Sequence, residues 1–287
     1  KTLSNYGGWL NNQGRYEEAM DILNECLKIR NKLLPADHVD IARVEHKIGQ
    51  NLVIAGKPAS AIPHLEKAVE IFKLKGKSAL AQLSESHHTI GNAYLAMHQP
   101  EEAVKKFLDA IAVAEEMKDD ARKALYLARL AGPLTVQGQF NSADSACNLA
   151  LSLLHYPDTS NYAAPEIIAL SEALNSQGLN CWQTKNTAKA ISCLSKSLAL
   201  KEKWMTHPVT EVQRTKYSLA NIYRDTGDYA HAESLYLSVL AERRKNPETA
   251  PRDIAYSLYS LALLYARTER YLEAFDSANS AWQIRIS

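Results

Sequence analysis

Apolar residues recur along this chain at spacings of three and four, as in Ile22, Leu23, Cys26 and Leu27, or Leu235, Tyr236, Val239 and Leu240. No stretch sustains the strict alternation of a half-buried strand, so the pattern predicts helices throughout. A longer rhythm lies over the short one. Alanines at positions Ala19, Ala61, Ala103, Ala143, Ala190, Ala232 and Ala274 stand 42, 42, 40, 47, 42 and 42 residues apart. Twelve residues ahead of each is another small residue: Gly7, Gly49, Gly91, Ala131, Gly178, Ala220 and Ala262. A bulky residue follows three later, at Leu10, Leu52, Tyr94, Leu134, Tyr223 and Tyr265, with Cys181 the exception. A glycine often stands five before the alanine, and that shared place predicts turns near Gly14, Gly56, His98, Gly138, Lys185, Gly227 and Glu269. Each repeat is thus two helices hinged at a turn. The small residues let the two helices approach, leaving a hole for a bulky neighbour. One pair alone cannot bury both its faces, so the repeats must stack.

At these residues the chain resembles the tetratricopeptide repeat (TPR) family. The period exceeds that family's usual one of about 34 residues. With the linkers Leu34 to Ala42 and Leu219 to Tyr229, the chain looks most like the subgroup found in kinesin light chains and in sensor regions of large signalling ATPases. The resemblance implies an all-α fold, a right-handed superhelical solenoid of seven helix-turn-helix repeats. Their approximate bounds are 1–41, 42–83, 84–123, 124–165, 166–212, 213–254 and 255–287, in a single array over 1–287.

Departures from the repeat mark a possible seam at 132–165. Gly132 and Pro133 fall in the middle of an expected first helix, where proline removes a backbone hydrogen bond. The interval of 47 then runs through the proline-bearing linker Leu154 to Ile167. At the end, Trp282 and Ile284 are left with no later helix to cover them, so the chain is expected to be part of a longer protein with flanking domains of its own.

Composition narrows the function classes. The 287 residues carry 33 Lys and Arg against 32 Asp and Glu, a formal charge of +1, which argues against nucleic-acid and membrane surfaces. The four cysteines Cys26, Cys147, Cys181 and Cys193 are too scattered for a disulfide scaffold or structural zinc and are expected to pack inward, in a reducing, cytoplasmic setting. His87 and His88 are adjacent, but neighbours on a helix point about 100° apart and cannot grip one ion. No phosphate loop, nucleophile elbow or His-Glu-x-x-His motif occurs, so neither catalysis, a cofactor nor a metal is expected.

The resemblance places the first helix of each repeat along an inner groove, through six positions per repeat. Read off this chain, those positions hold basic Lys1, Arg43, Lys47, Arg129, Arg214, Arg224 and Arg267 against acidic Glu85, Glu172 and Asp225. Seven against three leaves an excess of four on a chain of charge +1, and predicts a mildly electropositive groove. His46, Gln50, His88, Asn92, Asn175, Trp182, Tyr217, Asn221, Tyr256 and Tyr259 accompany the charge. Arginine and tyrosine join broad contact faces to directional hydrogen bonds, as peptide-binding surfaces require. The expected function is a non-enzymatic scaffold holding a peptide segment, acidic with an aromatic or aliphatic anchor. The alternative is a ligand-sensing regulatory arm of a larger signalling ATPase or transcription regulator. A chaperone-type carboxylate clamp would need lysine where His88 precedes Asn92, which argues against a cochaperone role.

Overall fold

The computed structural model describes residues 2–12, 14–158, 162–204, 209–245 and 251–286. Among them are fourteen α-helices and no strand. They are α1 (Thr2–Asn12), α2 (Tyr16–Leu33), α3 (Val39–Ile54), α4 (Pro58–Leu74), α5 (Leu80–Ala96), α6 (Pro100–Met117), α7 (Asp120–Val136), α8 (Phe140–Leu153), α9 (Ala164–Gln183), α10 (Thr187–Trp204), α11 (Val209–Thr226), α12 (Tyr229–Lys245), α13 (Pro251–Arg267) and α14 (Tyr271–Ile286). A short 3-10 turn, Gly76–Ala79, precedes α5. The chain divides into two compact units, Lys1–Asn180 and Cys181–Ser287, with the division inside α9.

All seven expected turns are present, and one backbone device makes each. Gly14, Gly56, His98, Gly138, Lys185, Gly227 and Glu269 adopt positive φ, between 58° and 88°. The amide of the next residue then donates back across the turn to the carbonyl of the bulky repeat position. The seven bonds are Arg15 to Leu10, Lys57 to Leu52, Gln99 to Tyr94, Gln139 to Leu134, Asn186 to Cys181, Asp228 to Tyr223 and Arg270 to Tyr265, at 2.8–3.0 Å. This six-to-one bond of a left-handed helix cap satisfies a carbonyl the ended helix would leave orphaned. Helix starts have ordinary causes: Pro58 and Pro100 open α4 and α6, and Asp119 Oδ1 accepts from the Arg122 amide at 3.0 Å.

In the first unit each helix from α1 to α8 packs on the next, and the first helices α1, α3 and α5 also touch in succession. The core includes Ile41, Ile48, Leu65 and Phe72, all fully buried. In the second unit α10 to α14 pack in the same serial way, around Tyr236, Leu258, Leu261 and Leu264. Residue pairs across the two helices of a repeat are knob and hole: Leu23 faces Gly7, Leu65 faces Gly49 and Phe107 faces Gly91. In these three repeats the knob is the residue four after the repeat alanine, and Ala19, Ala61 and Ala103 are themselves buried beside it. All four cysteines are buried, as expected.

One local expectation is corrected. Pro133 lies in the last turn of α7, which runs unbroken from Asp120 to Val136, rather than in its middle. Only the bond to the Arg129 carbonyl is lost there, so the helix continues to its normal end. Pro63 likewise stands inside α4 without ending it.

Candidate functional site

The stacking of first helices decides which side chains share a face. In the first unit, α1, α3 and α5 line a groove of about 650 Å³. Lys47, Gln50, His88 and Asn92 are all in its wall, together with Asn5, Trp9, Asn11, Val53, Ile54, Glu85 and Thr89. Lys47 Nζ donates to the Ser4 carbonyl at 2.8 Å, and burial with the nearby Arg30 guanidinium holds its pKa below the usual lysine value. Gln50 Nε2 donates to Glu85 Oε1 at 3.1 Å. His46 Nε2 stands 3.7 Å from the same oxygen, beyond hydrogen-bond range, while its Nδ1 is 2.9 Å from Ser86 Oγ. The His46 imidazole and the Gln50 amide pull the Glu85 carboxyl below its ordinary pKa despite partial burial, so it is ionised at neutral pH.

His88 is neutral. Burial, then the Arg129 guanidinium, lower its pKa to about 3. Its ring stacks on Tyr126 with centroids 5.1 Å apart and packs against Phe107 at 5.8 Å, while Asn92 Nδ2 lies 3.3 Å from its Nε2. Arg43 pairs with Asp40 at 2.9 Å, and Arg129 with buried Glu172 at 3.6 Å. Asn175 is buried. The positive charge expected along this stretch is therefore largely met by carboxylates of the same unit. Lys1 lies outside the described residues.

In the second unit, α11 and α13 are tied directly together, for the Tyr217 hydroxyl hydrogen-bonds Ser260 Oγ. The Tyr236 hydroxyl of α12 donates to Asn221 Oδ1 at 2.6 Å and lies 3.3 Å from Arg224 Nη1. Arg224 also holds Asp225 at 2.9 Å, and Arg267 shares that carboxylate at 3.5 Å. Tyr217, Asn221 and Arg224 are thus engaged in binding helix to helix. Arg214, 3.2 Å from Glu211, keeps most of its length in solvent. Tyr256 and Tyr259 are 54% and 50% exposed on the same helix whose Leu258, Leu261 and Leu264 are buried. Trp182 is half-buried at the start of this unit.

Sequence reasoning missed Trp9, Tyr126 and Tyr236. Trp9 and Tyr126 stand at positions outside the six counted per repeat, and Tyr236 belongs to a second helix, at the knob position four after Ala232. That recurrent position was the available signal. Among the described residues no group of three or more His, Cys, Asp or Glu could hold a metal, and no helix is long and apolar enough to cross a membrane.

Residues 1–73 and 217–250 each match a family model described as tetratricopeptide repeat. No curated protein matches the chain. Solved structures share the fold at low identity. Aspartyl phosphate phosphatase F from Bacillus subtilis is similar at 16% identity and TM-score 0.69, over 98% of this chain and 68% of that one. A Signal Transduction ATPase with Numerous Domains carrying a tetratricopeptide repeat sensor, from Pyrococcus horikoshii, is similar at 12% identity and TM-score 0.62, over 99% of this chain and 41% of that one. Kinesin light chain nearly identical TPR-like repeats from Podosopora anserina share 20% identity at TM-score 0.50, over 72% and 97%. Helix pairs recur in one register through the described residues, and the stretches 1–73 and 217–250 among them match tetratricopeptide repeat models.

Proposed function

We propose that the chain is a non-enzymatic protein-interaction array, cytoplasmic, that holds a peptide segment along the exposed face of its first helices, with α11 and α13 as one binding element. The observation carrying this is the pair of half-exposed rings, Tyr256 and Tyr259, on a helix whose other face is fully packed, with Arg267 at its end. Rings and guanidinium groups held on a rigid helix lose little freedom on binding, which is what a peptide anchor site needs. Arg267 and Arg214 lie on the surface with only one carboxylate partner each among the described residues, so an incoming carboxylate can add to or replace that pairing. The preferred ligand is an extended acidic segment with an aromatic or aliphatic anchor that packs between the tyrosines. Titration of such a peptide library against wild type and Tyr256→Ala/Arg267→Ala tests it. Equal binding of the selected peptide by the variant rules out this site.

A second reading is favoured by the likeness to the sensor-bearing signalling ATPase, which extends over 99% of this chain but only 41% of that protein. On it, the same face serves as the sensing arm of a larger regulatory protein with effector domains flanking the array. Sequencing the whole gene separates the two readings.

A further inference from the structure

The groove of the first unit differs in charge from the face of α13, and the difference points to a different ligand. Two ionisable groups in its wall carry charge at neutral pH, and they have opposite signs: the Lys47 ammonium and the Glu85 carboxylate. His88, the other titratable group there, is held neutral. The remaining polar wall is amide and hydroxyl, from Asn5, Asn11, Gln50, Thr89 and Asn92, and the apolar part is Trp9, Leu23, Val53 and Ile54. A net-neutral groove with separated charges of both signs gains little from an anionic segment, which would meet Glu85. It gains equally little from a simple cation, which would meet Lys47.

We propose that this groove is a site for a small zwitterion, a free α-ammonium with its neighbouring carbonyl or carboxylate and an apolar side chain, whose ammonium seats on Glu85. The proposal rests on the reading of the first-helix face as the binding face. Four observations carry it. Glu85 is 49% exposed, and among the described residues the hydrogen-bond donor reaching it, Gln50, takes Oε1 and none takes Oε2. The carboxylate is positioned in advance: Gln50 holds it from α3, and His46 Nε2, a buried nitrogen with no hydrogen-bond partner, lies 3.7 Å away. Trp9, half-exposed in the same wall, stacks on Tyr6 with centroids 5.8 Å apart, and the rest of its indole surface favours an ammonium over a neutral group. The volume of about 650 Å³ suits a ligand of a few residues. Lys47, held by the Ser4 carbonyl, sets the opposite pole for the ligand's oxygen atoms, and Val53 and Ile54 receive its side chain.

The α-ammonium can come from a free amino acid or from the amino terminus of a short peptide, and trileucine, N-acetyl-trileucine and leucine tell these sources apart. Calorimetric titration of the 287-residue chain is expected to show trileucine binding about tenfold or more tightly than N-acetyl-trileucine, the size of one charge-assisted contact. Leucine binding better than trileucine assigns the amino acid as source, and the reverse assigns the peptide. In Glu85→Gln, which keeps the Gln50 contact sterically possible, the ratio of free to acetylated affinity should fall to about one. A merely structural role for Glu85 would lower both affinities together and leave the ratio intact. Tyr256→Ala/Arg267→Ala should not move trileucine binding, so failure of the acidic-peptide site and failure of this one are distinguishable. Absence of binding by both trileucine and leucine, equal affinity for the free and acetylated probes, or an unchanged ratio in Glu85→Gln overturns the proposal.

Discussion

Leu65 Cγ stands where a side chain on Gly49 would begin: a Cβ built on that glycine would lie 2.4 Å from it, and 2.6 Å from Leu65 Cδ2. Leu65 is fully buried and its branch point is close to the backbone of α4, so it cannot swing aside as the tip of a long side chain could. Gly49→Ala must therefore push α3 and α4 apart. A loss of about 1–3 kcal/mol is expected, as for other additions to a packed core. Gly132 is the internal control, since a Cβ there meets nothing within 4 Å and Gly132→Ala should not lower the thermal midpoint. Equal midpoints for wild type and Gly49→Ala would mean the two helices do not pack in this register.

The same pair shows why the fold was readable. Gly49 and Ala61 recur in phase with their counterparts because backbone approach demands small residues at fixed places, and a demand repeated along the chain is visible without homologues. Leu52 was equally visible as a bulky position, although its carbonyl's place in the turn was not. The site was legible only as a face. Arg224 occupies the register position of an inner-groove residue, yet its guanidinium is taken up by Asp225 and Tyr236. Which partner wins an arginine depends on rotamers and on neighbours from other helices, and neither is written in the spacing. Tyr236 escaped for that reason: the spacing shows it as an apolar position of a helix, while its hydroxyl reaches Asn221.

Turns that use a side-chain-bearing residue where sister repeats use glycine carry a conformational cost. His98 has φ 58° at the place Gly56 holds at 76°, and it is exposed. The left-handed conformation costs a non-glycine residue about 1–2 kcal/mol, and glycine's greater freedom in the unfolded chain returns part of that. His98→Gly should stabilise the fold by about 0.5–1 kcal/mol, and Gly56→Ala should destabilise it by a similar amount. Denaturant midpoints at constant slope measure both. A His98→Gly midpoint at or below wild type contradicts the account.

Acid should loosen the first unit before its carboxylates titrate. Burial lowers the His87 pKa to about 4, with Asp109 opposing and Lys106 and Lys73 assisting, and His88 is lowered to about 3. Both values lie below the ordinary histidine value of 6.5, so the unfolded chain takes up protons first as pH falls. Stability is then full above 6.5 and declines on the way down to about 4, where His87 begins to charge in the folded state. The slope can approach about 1.4 kcal/mol per pH unit for each group. Between pH 6.5 and 5 the carboxylates add little, because the ordinary value for glutamate is 4.5 and for Glu85 lower still. Chemical denaturation across that window should show a fall in stability that His88→Phe reduces by roughly half, since one of two such groups is gone. A flat profile in wild type would show that neither histidine is desolvated.

The residues of α11 to α13 should separate by function when mutated. Asn221 accepts the Tyr236 hydroxyl at 2.6 Å, and Tyr217 reaches Ser260 on the next first helix. Removing one member costs one hydrogen bond of a connected set, since Tyr236 also meets Arg224 and Ser260 Oγ also donates to the Tyr256 carbonyl, at about 0.5–1.5 kcal/mol. Asn221→Ala and Tyr217→Phe are accordingly expected to lower the thermal midpoint, and any effect on ligand binding should follow from lost helix packing. Tyr259 and Arg267 are half in solvent, and Tyr259→Ala or Arg267→Ala should change stability by less than about 0.5 kcal/mol. Binding of an acidic, anchor-bearing peptide should respond in the opposite order, with Tyr259→Ala and Arg267→Ala each weakening it about fivefold or more. The two series are compared by thermal melts and by titration of one peptide. If Tyr259→Ala and Arg267→Ala bind it like wild type while Asn221→Ala alone fails, the exposed tyrosine face is not the ligand site, and the buried network serves only to hold the helices.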